Sequence, residues 1–438
     1  MEHVSESEYK NAVLALLNSE PDAGLMAPYI SVLVEYLATT TGISAHFDMN
    51  EWNDATTDQG VAISPVQAAK CLQETLRSQK FMQGVHSAIK DKAAQSDETI
   101  QVLYAGTGPY ATLLLPLLSV LEYTQVKATL IDIHPENVAA VKALITHFGV
   151  EDNIIDIVCA DATQWQASEN RLFDIIISET MTALLKREPQ VFIFAHLSQY
   201  LKPSGVLIPE EVSLKSWLVD DINPDVLLGE FFKLDLEHAL DIYKGDRSAF
   251  SGSQLIPEGF ETGYRFKLTT DIKVYGTHYL TENECSLNIP LTFLPHKAIL
   301  KGGDKIHYDY VTPNSADFVF RFPLKVIPTS EQELSSWDVT TRNGIKLVKR
   351  IYERSQTGKH GGGLSVPDNE WQAQLRLVEL LDLPLHSVMQ ALFEYESFPL
   401  FEQWLIEHYE GLENPVAVNT MNDALMDCLL SKSENTPV

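Results

Sequence analysis

The 438-residue chain carries 32 basic and 60 acidic residues, a net charge of −28. That balance argues against nucleic acid as the main partner, because phosphate contacts from Lys and Arg dominate such binding. Apolar residues make up 45% and charged residues 21% of the chain, the composition of an ordinary globular protein with ample chain for a core.

The acidic surplus suits a cationic substrate and suits solubility equally well. Cys71, Cys159, Cys285 and Cys428 make no CxxC or Cys/His metal spacing, so no metal is expected and the thiols read as reduced, in a cytoplasmic protein. MEHVSESEYKN lacks a charged-then-apolar leader. The most apolar run, 111–121, is too short for a bilayer span and contains Pro116, so no membrane partner is expected.

Residues 1–97 read mainly as helix, since apolar positions in KNAVLALLNSE and SVLVEYLATT recur at helical spacing. HFDMNEWNDATTDQG has loop chemistry. Ser64-Pro65 then starts a helix, serine as N-cap and proline at the first position. From there PVQAAKCLQETLRSQKFMQGVHSAIKDK runs as one long amphipathic helix. Residues 98–209 alternate strands, near Gln101–Tyr104, Lys127–Ile131, Ile155–Cys159, Phe173–Ser178 and Val206–Ile208, with helices such as Pro135–Phe148. The alternation predicts an α/β, doubly wound parallel sheet.

Over 210–329 the period becomes two, in GYRFKLTTDIKVYG, ECSLNIPLTFL, DKIHYDYV and DFVFRFPL, which predicts a β-barrel or compact β domain. The acidic stretch 220–246 interrupts it. Residues 330–438 return to helix, with the glycine-rich linker SQTGKHGGGLSVP between helical stretches.

Chemistry concentrates in 101–188. Gly106 and Gly108 in AGTGPY follow a strand, where glycine lets the backbone turn tightly and approach a ligand. Asp132 ends the second strand, where a carboxylate can accept from ribose hydroxyls. Asp161, beside Ala162, ends the third at the height of an adenine edge. Either acid alone reads as a turn former or cap; at successive strand ends they favour a bound adenosine. No GxxxxGK[ST] is present, which excludes a P-loop. Glu179 leaves the fourth strand and Glu188 follows nine positions later. If the intervening residues fold back, both carboxylates face one pocket, where a guanidinium fork would satisfy them. Taken alone, Glu188 reads as a helix N-terminal acid paired with Lys186 or Arg187.

IIISETMTALLKRE resembles the double-glutamate loop of the protein arginine methyltransferases. AHLSQYLKPSGVLIPEEVSL is similar to that family's last Rossmann strand leading into its β-barrel, and CLQETLRSQKFMQGVHSAI to the helix that covers its cofactor. The GTGP turn, with Tyr104 where most relatives have an acid, is similar to the symmetric-dimethylating branch. The resemblance covers residues 47–324 and implies a Rossmann-like methyltransferase domain followed by a β-barrel. It implies S-adenosyl-L-methionine as methyl donor, with Gly106 and Gly108 beside its methionine portion, Asp132 on the ribose, and Asp161 with Ala162 at the adenine. Arg77, or Lys80 one helical turn later, would meet the methionine carboxylate. Glu179 and Glu188 would grip the guanidino group, and Met181 would crowd the acceptor nitrogen, although Met181 alone reads as a core filler.

Phe47 would be a pocket wall, and 220–246 sits where the family carries a dimerisation arm, implying a homodimer. Thr277-His278-Tyr279 reads only loosely like the family's threonine-histidine-tryptophan loop, and His278 is not assigned a catalytic role. The implied acceptor is an arginine-containing protein or free arginine and related small molecules. A methyltransferase on another N or O acceptor and a non-catalytic scaffold remain as alternatives.

Overall fold

Two capped helices open the chain. In the computed structural model, α1 (Glu6–Asn18) starts at a capping box, in which Ser5 Oγ accepts from the Glu8 amide and the Glu8 carboxylate accepts from the Ser5 amide. Asp22 caps α2 (Ala23–Thr41), and Gly42 closes it in the left-handed conformation. The structure describes residues 4–44, 53–168, 171–219, 224–260, 265–293, 300–311 and 316–322, then 383–395 and single residues between 352 and 408. Phe47 lies outside the described residues. The chain divides into two units, Met1–Val326 and Ile327–Val438.

Part of the stretch read as loop is a hairpin, β1 (Ala55–Thr57) and β2 (Gly60–Ala62). Ser64 caps α3 (Pro65–Cys71) with Pro65 in its first turn, as the sequence predicts. The long helix expected from Pro65 is two, however, because α4 (Thr75–Gln95) begins afresh. At the break, Ser78 Oγ donates to the Leu72 carbonyl at 3.0 Å, and the Glu74 side chain turns toward Arg77 and Ser286 instead of capping. Most of α4 is buried, and Gln79 and Gln83 both donate to the Leu16 and Ser19 carbonyls that end α1.

Five parallel strands follow: β3 (Ile100–Ala105), β4 (Val126–Asp132), β5 (Ile154–Cys159), β6 (Phe173–Ser178) and β7 (Leu201–Ile208), in the order β5-β4-β3-β6-β7. Helices α5 (Leu115–Val120), α6 (Pro135–Phe148) and α7 (Gln190–Leu197) connect them. The apolar runs of β3, β4 and β6 are buried almost throughout, as befits strands covered on both faces. Strand order reverses beside β3, and such a reversal leaves a crevice at the carboxyl ends of the strands.

The period-two region forms two antiparallel sheets. One joins β12 (His278–Leu280), β11 (Arg265–Tyr275), β8 (Glu211–Val219) and β9 (Val226–Asp235), with β13 (Leu291–Phe293) also on β11. The other joins β10 (Ser251–Leu255), β14 (Lys305–Val311) and β15 (Asp317–Arg321). Among the described residues no ladder joins the two sheets into the closed barrel that was expected. ECSLNIPLTFL is a one-turn 3-10 segment, Ser286–Asn288, and the short β13. Pro290 offers no amide to a ladder there, and Asn288 Nδ2 is committed to the Thr270 carbonyl at 2.6 Å.

The stretch 220–246, expected as a dimerisation arm, is described from residue 224 as a strand and a helix. β9 pairs along β8, and α8 (Leu236–Tyr243) packs on α7 with Ala239 and Ile242 buried. Of the C-terminal unit, α9 (Leu385–Glu394) is described, with Tyr352 stacked on Phe401 at 5.5 Å and donating its hydroxyl to the Tyr395 carbonyl.

Candidate active site

The crevice at the strand ends is assembled by the turns after β3, β4, β5 and β6 and is roofed by α3, α4 and the β1–β2 hairpin. After β3, Gly106 and Gly108 adopt φ values of 70° and 60°, which L side chains rarely take. A Cβ at Gly106 would stand 2.2 Å from Thr180 Cγ2, and one at Gly108 would stand 3.4 Å from Ala68 Cβ. Backbone thus lines the floor, at Gly106 because a side chain has no room and at Gly108 because the positive φ disfavours one.

Asp132 is 5% exposed and acts first as the keystone of this floor. Its Oδ2 accepts from the Gly108 amide at 2.8 Å and from Thr107 Oγ1 at 3.3 Å. Its Oδ1 accepts from the His134 amide at 2.9 Å and from Asn137 Nδ2 at 3.0 Å. A carboxylate has about four lone-pair sites, and these four donors address them all, with the single Thr107 hydroxyl proton shared between Asp132 and the Gly108 carbonyl. The long Thr107 bond is the cheapest to exchange, since Thr107 Oγ1 keeps the Gly108 carbonyl at 3.0 Å. Asp161 and Ala162 also line the crevice, with Asp161 Oδ1 accepting from the Thr163 amide and hydroxyl at 2.8 Å each.

At the far end stand the two glutamates. Glu179 and Glu188 both line the same crevice, so the loop between them folds back. Gln190 fixes its start, accepting from the Thr180 amide at 2.8 Å and donating to the Ser178 carbonyl. The antiparallel sheets fix its middle: Leu184 donates its amide to Thr270 Oγ1 at 3.0 Å, and Tyr310 donates its hydroxyl to the Leu185 carbonyl at 3.0 Å. The Arg187 amide donates to the Ala316 carbonyl. Leu184, Leu185 and Arg187 have φ of 63°, 53° and 63°. Each such non-glycine residue costs of order 1–3 kcal/mol and persists only where its surroundings over-determine it.

Arg77 on α4 closes the group. Its guanidinium donates to Glu179 Oε2 in a very short contact and to Glu74 Oε1 at 3.2 Å. Glu74 in turn accepts from Ser286 Oγ at 2.6 Å and from the Ser286 amide at 2.8 Å. Burial pushes the Glu179 carboxyl up on balance, against the opposing pull of the Arg77 guanidinium beside it. Among the described residues, Glu179 Oε1 is buried without a hydrogen-bond partner. Glu188 is 6% exposed, and burial first, then the neighbouring Glu179, push its carboxyl up to about 8. Glu188 therefore retains a proton at neutral pH, beside a Glu179 that is held against Arg77.

The crevice brings together Arg77, Gly106, Gly108, Asp132, Asp161, Ala162, Glu179 and Glu188. Two expected residues stand apart. Lys80 points away and pairs with Glu284 at 2.5 Å, in a second groove with Thr277, His278 and Tyr279; one helical turn separates it from Arg77, and only Arg77 faces the acids. Met181 is 2% exposed and belongs to the core cluster, and it is not among the crevice-lining residues. His278 sits 3.1 Å from Ser87 Oγ. The loop that does reach the Arg77 network carries Ser286, which sequence spacing did not point to.

Residues 105–208 match the family model of a methyltransferase domain. That stretch holds the glycine floor and the acids of the crevice, and the match implies S-adenosylmethionine as cofactor. The residues present fit that cofactor: a side-chain-free floor at Gly106 and Gly108, an exchangeable position on Asp132, and a buried guanidinium at Arg77. When bound, it supplies a methyl group activated on a sulfonium. No curated protein matches the chain. Among solved structures, the chain is similar to the Trypanosoma brucei PRMT1 enzyme-prozyme heterotetrameric complex with AdoHcy, at 12% identity and TM-score 0.42, over 58% of this chain and 92% of that one. It is also similar to protein arginine methyltransferase 10 of Arabidopsis thaliana, at 14% identity and TM-score 0.37, over 53% and 83%.

Proposed function

We propose that the protein transfers a methyl group from S-adenosylmethionine to a guanidino nitrogen of arginine, protein-bound or free. The observation that carries this reading is the buried acid pair, Glu179 and Glu188, at one end of the cofactor crevice, with Glu179 already against a guanidinium and its Oε1 unpartnered. A guanidinium keeps its charge at every physiological pH, so prior deprotonation by a side chain is not the task. Glu179 and Glu188, both ionised in the complex, would draw positive charge onto the nitrogens they touch. The remaining nitrogen then keeps lone-pair character and is held in line with the methyl. Placement of this kind can supply about 7–11 kcal/mol of a barrier.

The finer points belong to the same proposal: kinship with the symmetric-dimethylating branch, closure of the antiparallel sheets as a barrel, a homodimer and a cytoplasmic location. Mass spectrometry after incubation with cofactor and either free arginine or an Arg-Gly-rich peptide tests the acceptor. A methyl increment on either supports the reading, and increments only on non-guanidine acceptors would replace it with another N- or O-methyltransferase.

A further inference from the structure

The β1–β2 hairpin meets the acidic loop backbone to backbone. The Val61 amide donates to the Arg187 carbonyl at 2.7 Å. Gly60, at φ 150°, lies so close that a Cβ there would stand 2.5 Å from the Arg187 carbonyl oxygen, 3.0 Å from Pro189 N and 3.1 Å from the Glu188 carbonyl carbon. Those are main-chain atoms of three consecutive residues centred on Glu188, and backbone cannot swing aside as a side chain can. The hairpin is itself braced: Thr57 Oγ1 donates to the Gly60 carbonyl at 2.9 Å and accepts from the Gln59 amide at 3.2 Å. Asp54 accepts from the Ser64 amide at 3.0 Å and approaches Arg187 at 3.8 Å. Thr57, Ala62 and Ile63 line the crevice beside Glu188.

We propose that this hairpin is a clamp on the acceptor loop, and that Gly60 is a positioning residue that sets where the Glu188 carboxylate stands and keeps water from it. The inference rests on the acceptor role given to Glu188 above. The strained stretch at Leu184, Leu185 and Arg187 is pinned by the antiparallel sheets on one side. The hairpin supplies the opposing contact, at the last residue before Glu188. On the other side, the Arg187 amide bond to Ala316 and the Lys186–Asp317 ion pair at 3.3 Å hold that end. The charged groups around Glu188 are Glu179, Arg77, Arg187 and Asp54. The last of these belongs to the chain entering the hairpin, so unseating the clamp changes hydration and charge together.

The test is Gly60→Ala in the full-length protein, with Asp58→Ala at the exposed hairpin tip as control. In the wild type, the carboxyl carbon of Glu188, assigned by its loss in Glu188→Gln, should titrate by NMR near pH 8. In Gly60→Ala the midpoint should fall by about one pH unit or more, as water reaches the carboxylate. The acceptor KM should rise about tenfold, while the cofactor Kd stays within about threefold. Asp58→Ala should match the wild type in all three. If Gly60→Ala does not fold, Thr57→Val, which removes the hydroxyl bracing Gly60, should show the same shifts on a smaller scale. A folded Gly60→Ala, or failing that a folded Thr57→Val, with unchanged Glu188 titration would overturn the clamp. If the wild type methylates no guanidine, the acceptor reading falls, and the titration still decides the clamp.

Discussion

Glu188→Gln gives the most quantitative test of the site's electrostatics. Burial and the neighbouring Glu179 raise the Glu188 carboxyl from 4.5 to about 8. Between those values the folded protein keeps a proton that the unfolded chain has released, so stability falls as pH rises through that window. Below pH 4.5 this penalty is absent, and above about pH 8 it is complete. The full shift corresponds to roughly 5 kcal/mol, and relaxation with water entry reduces it to about 2–4 kcal/mol. For a unit the size of Met1–Val326 that is roughly 3–6 °C in Tm. Glutamine has nearly the same shape and never ionises. Scanning calorimetry of wild type and Glu188→Gln at pH 5.5 and 8.5 should show the wild type losing more Tm than the variant by that amount. Equal losses in the two proteins would refute the protonated, desolvated Glu188. The same group predicts an acidic limb in kcat/KM, rising with pH through about 8, because the free enzyme must lose this proton to receive a cation.

Three further outcomes follow from the geometry. Asp132→Ala removes the hub of the glycine floor as well as the ribose contact, so cofactor binding by calorimetry should weaken by at least about 1–3 kcal/mol; an unchanged Kd would exclude the keystone role. Gly106→Ala would put a methyl 2.2 Å from Thr180 Cγ2, and should lower both stability and cofactor affinity by about 1 kcal/mol or more; a neutral effect would mean that the floor yields. Glu74→Gln should loosen Arg77 and detach the Ser286 loop, lowering kcat/KM about tenfold, whereas an unchanged rate would make that network merely structural.

The parallel sheet was legible because its strands are buried on both faces. LYA, ATLID and IIIS are nearly unbroken apolar runs, and that pattern survives without tertiary information. The Ser64-Pro65 start was legible for a local reason too, since an N-cap needs only its own turn. The break at residues 72–74 was not, because Leu72, Gln73 and Glu74 suit a helix interior; the Arg77–Glu74–Ser286 network that draws the side chain away is a long-range fact. The β1–β2 hairpin was missed because Asp58-Gln59 lacks the Asn-Gly type of turn signal.

In the site, Gly106, Gly108, Asp132 and Asp161 could be placed at strand ends from the alternation alone, whereas Glu188 rested on the resemblance of its loop. Choosing Arg77 over Lys80 could not be done that way, since the two differ by a single helical turn on a helix buried on nearly every side. Met181 belongs to the same class: its place beside Glu179 in sequence says nothing about which way a strained loop turns its side chain. The contacts of Gly60 with the Arg187 carbonyl, and of Tyr310 with the Leu185 carbonyl, join residues more than a hundred positions apart and leave no periodicity to read.

The most direct measurement compares wild type, Glu179→Gln and Glu188→Gln for two quantities in the same preparation, cofactor Kd by calorimetry and labelled-methyl transfer to the arginine acceptor. Both variants should bind cofactor within about threefold of wild type and lose transfer by about a hundredfold or more, the scale of interactions made mainly in the transition state. Full transfer by either variant would contradict the claim that this acid pair holds the acceptor.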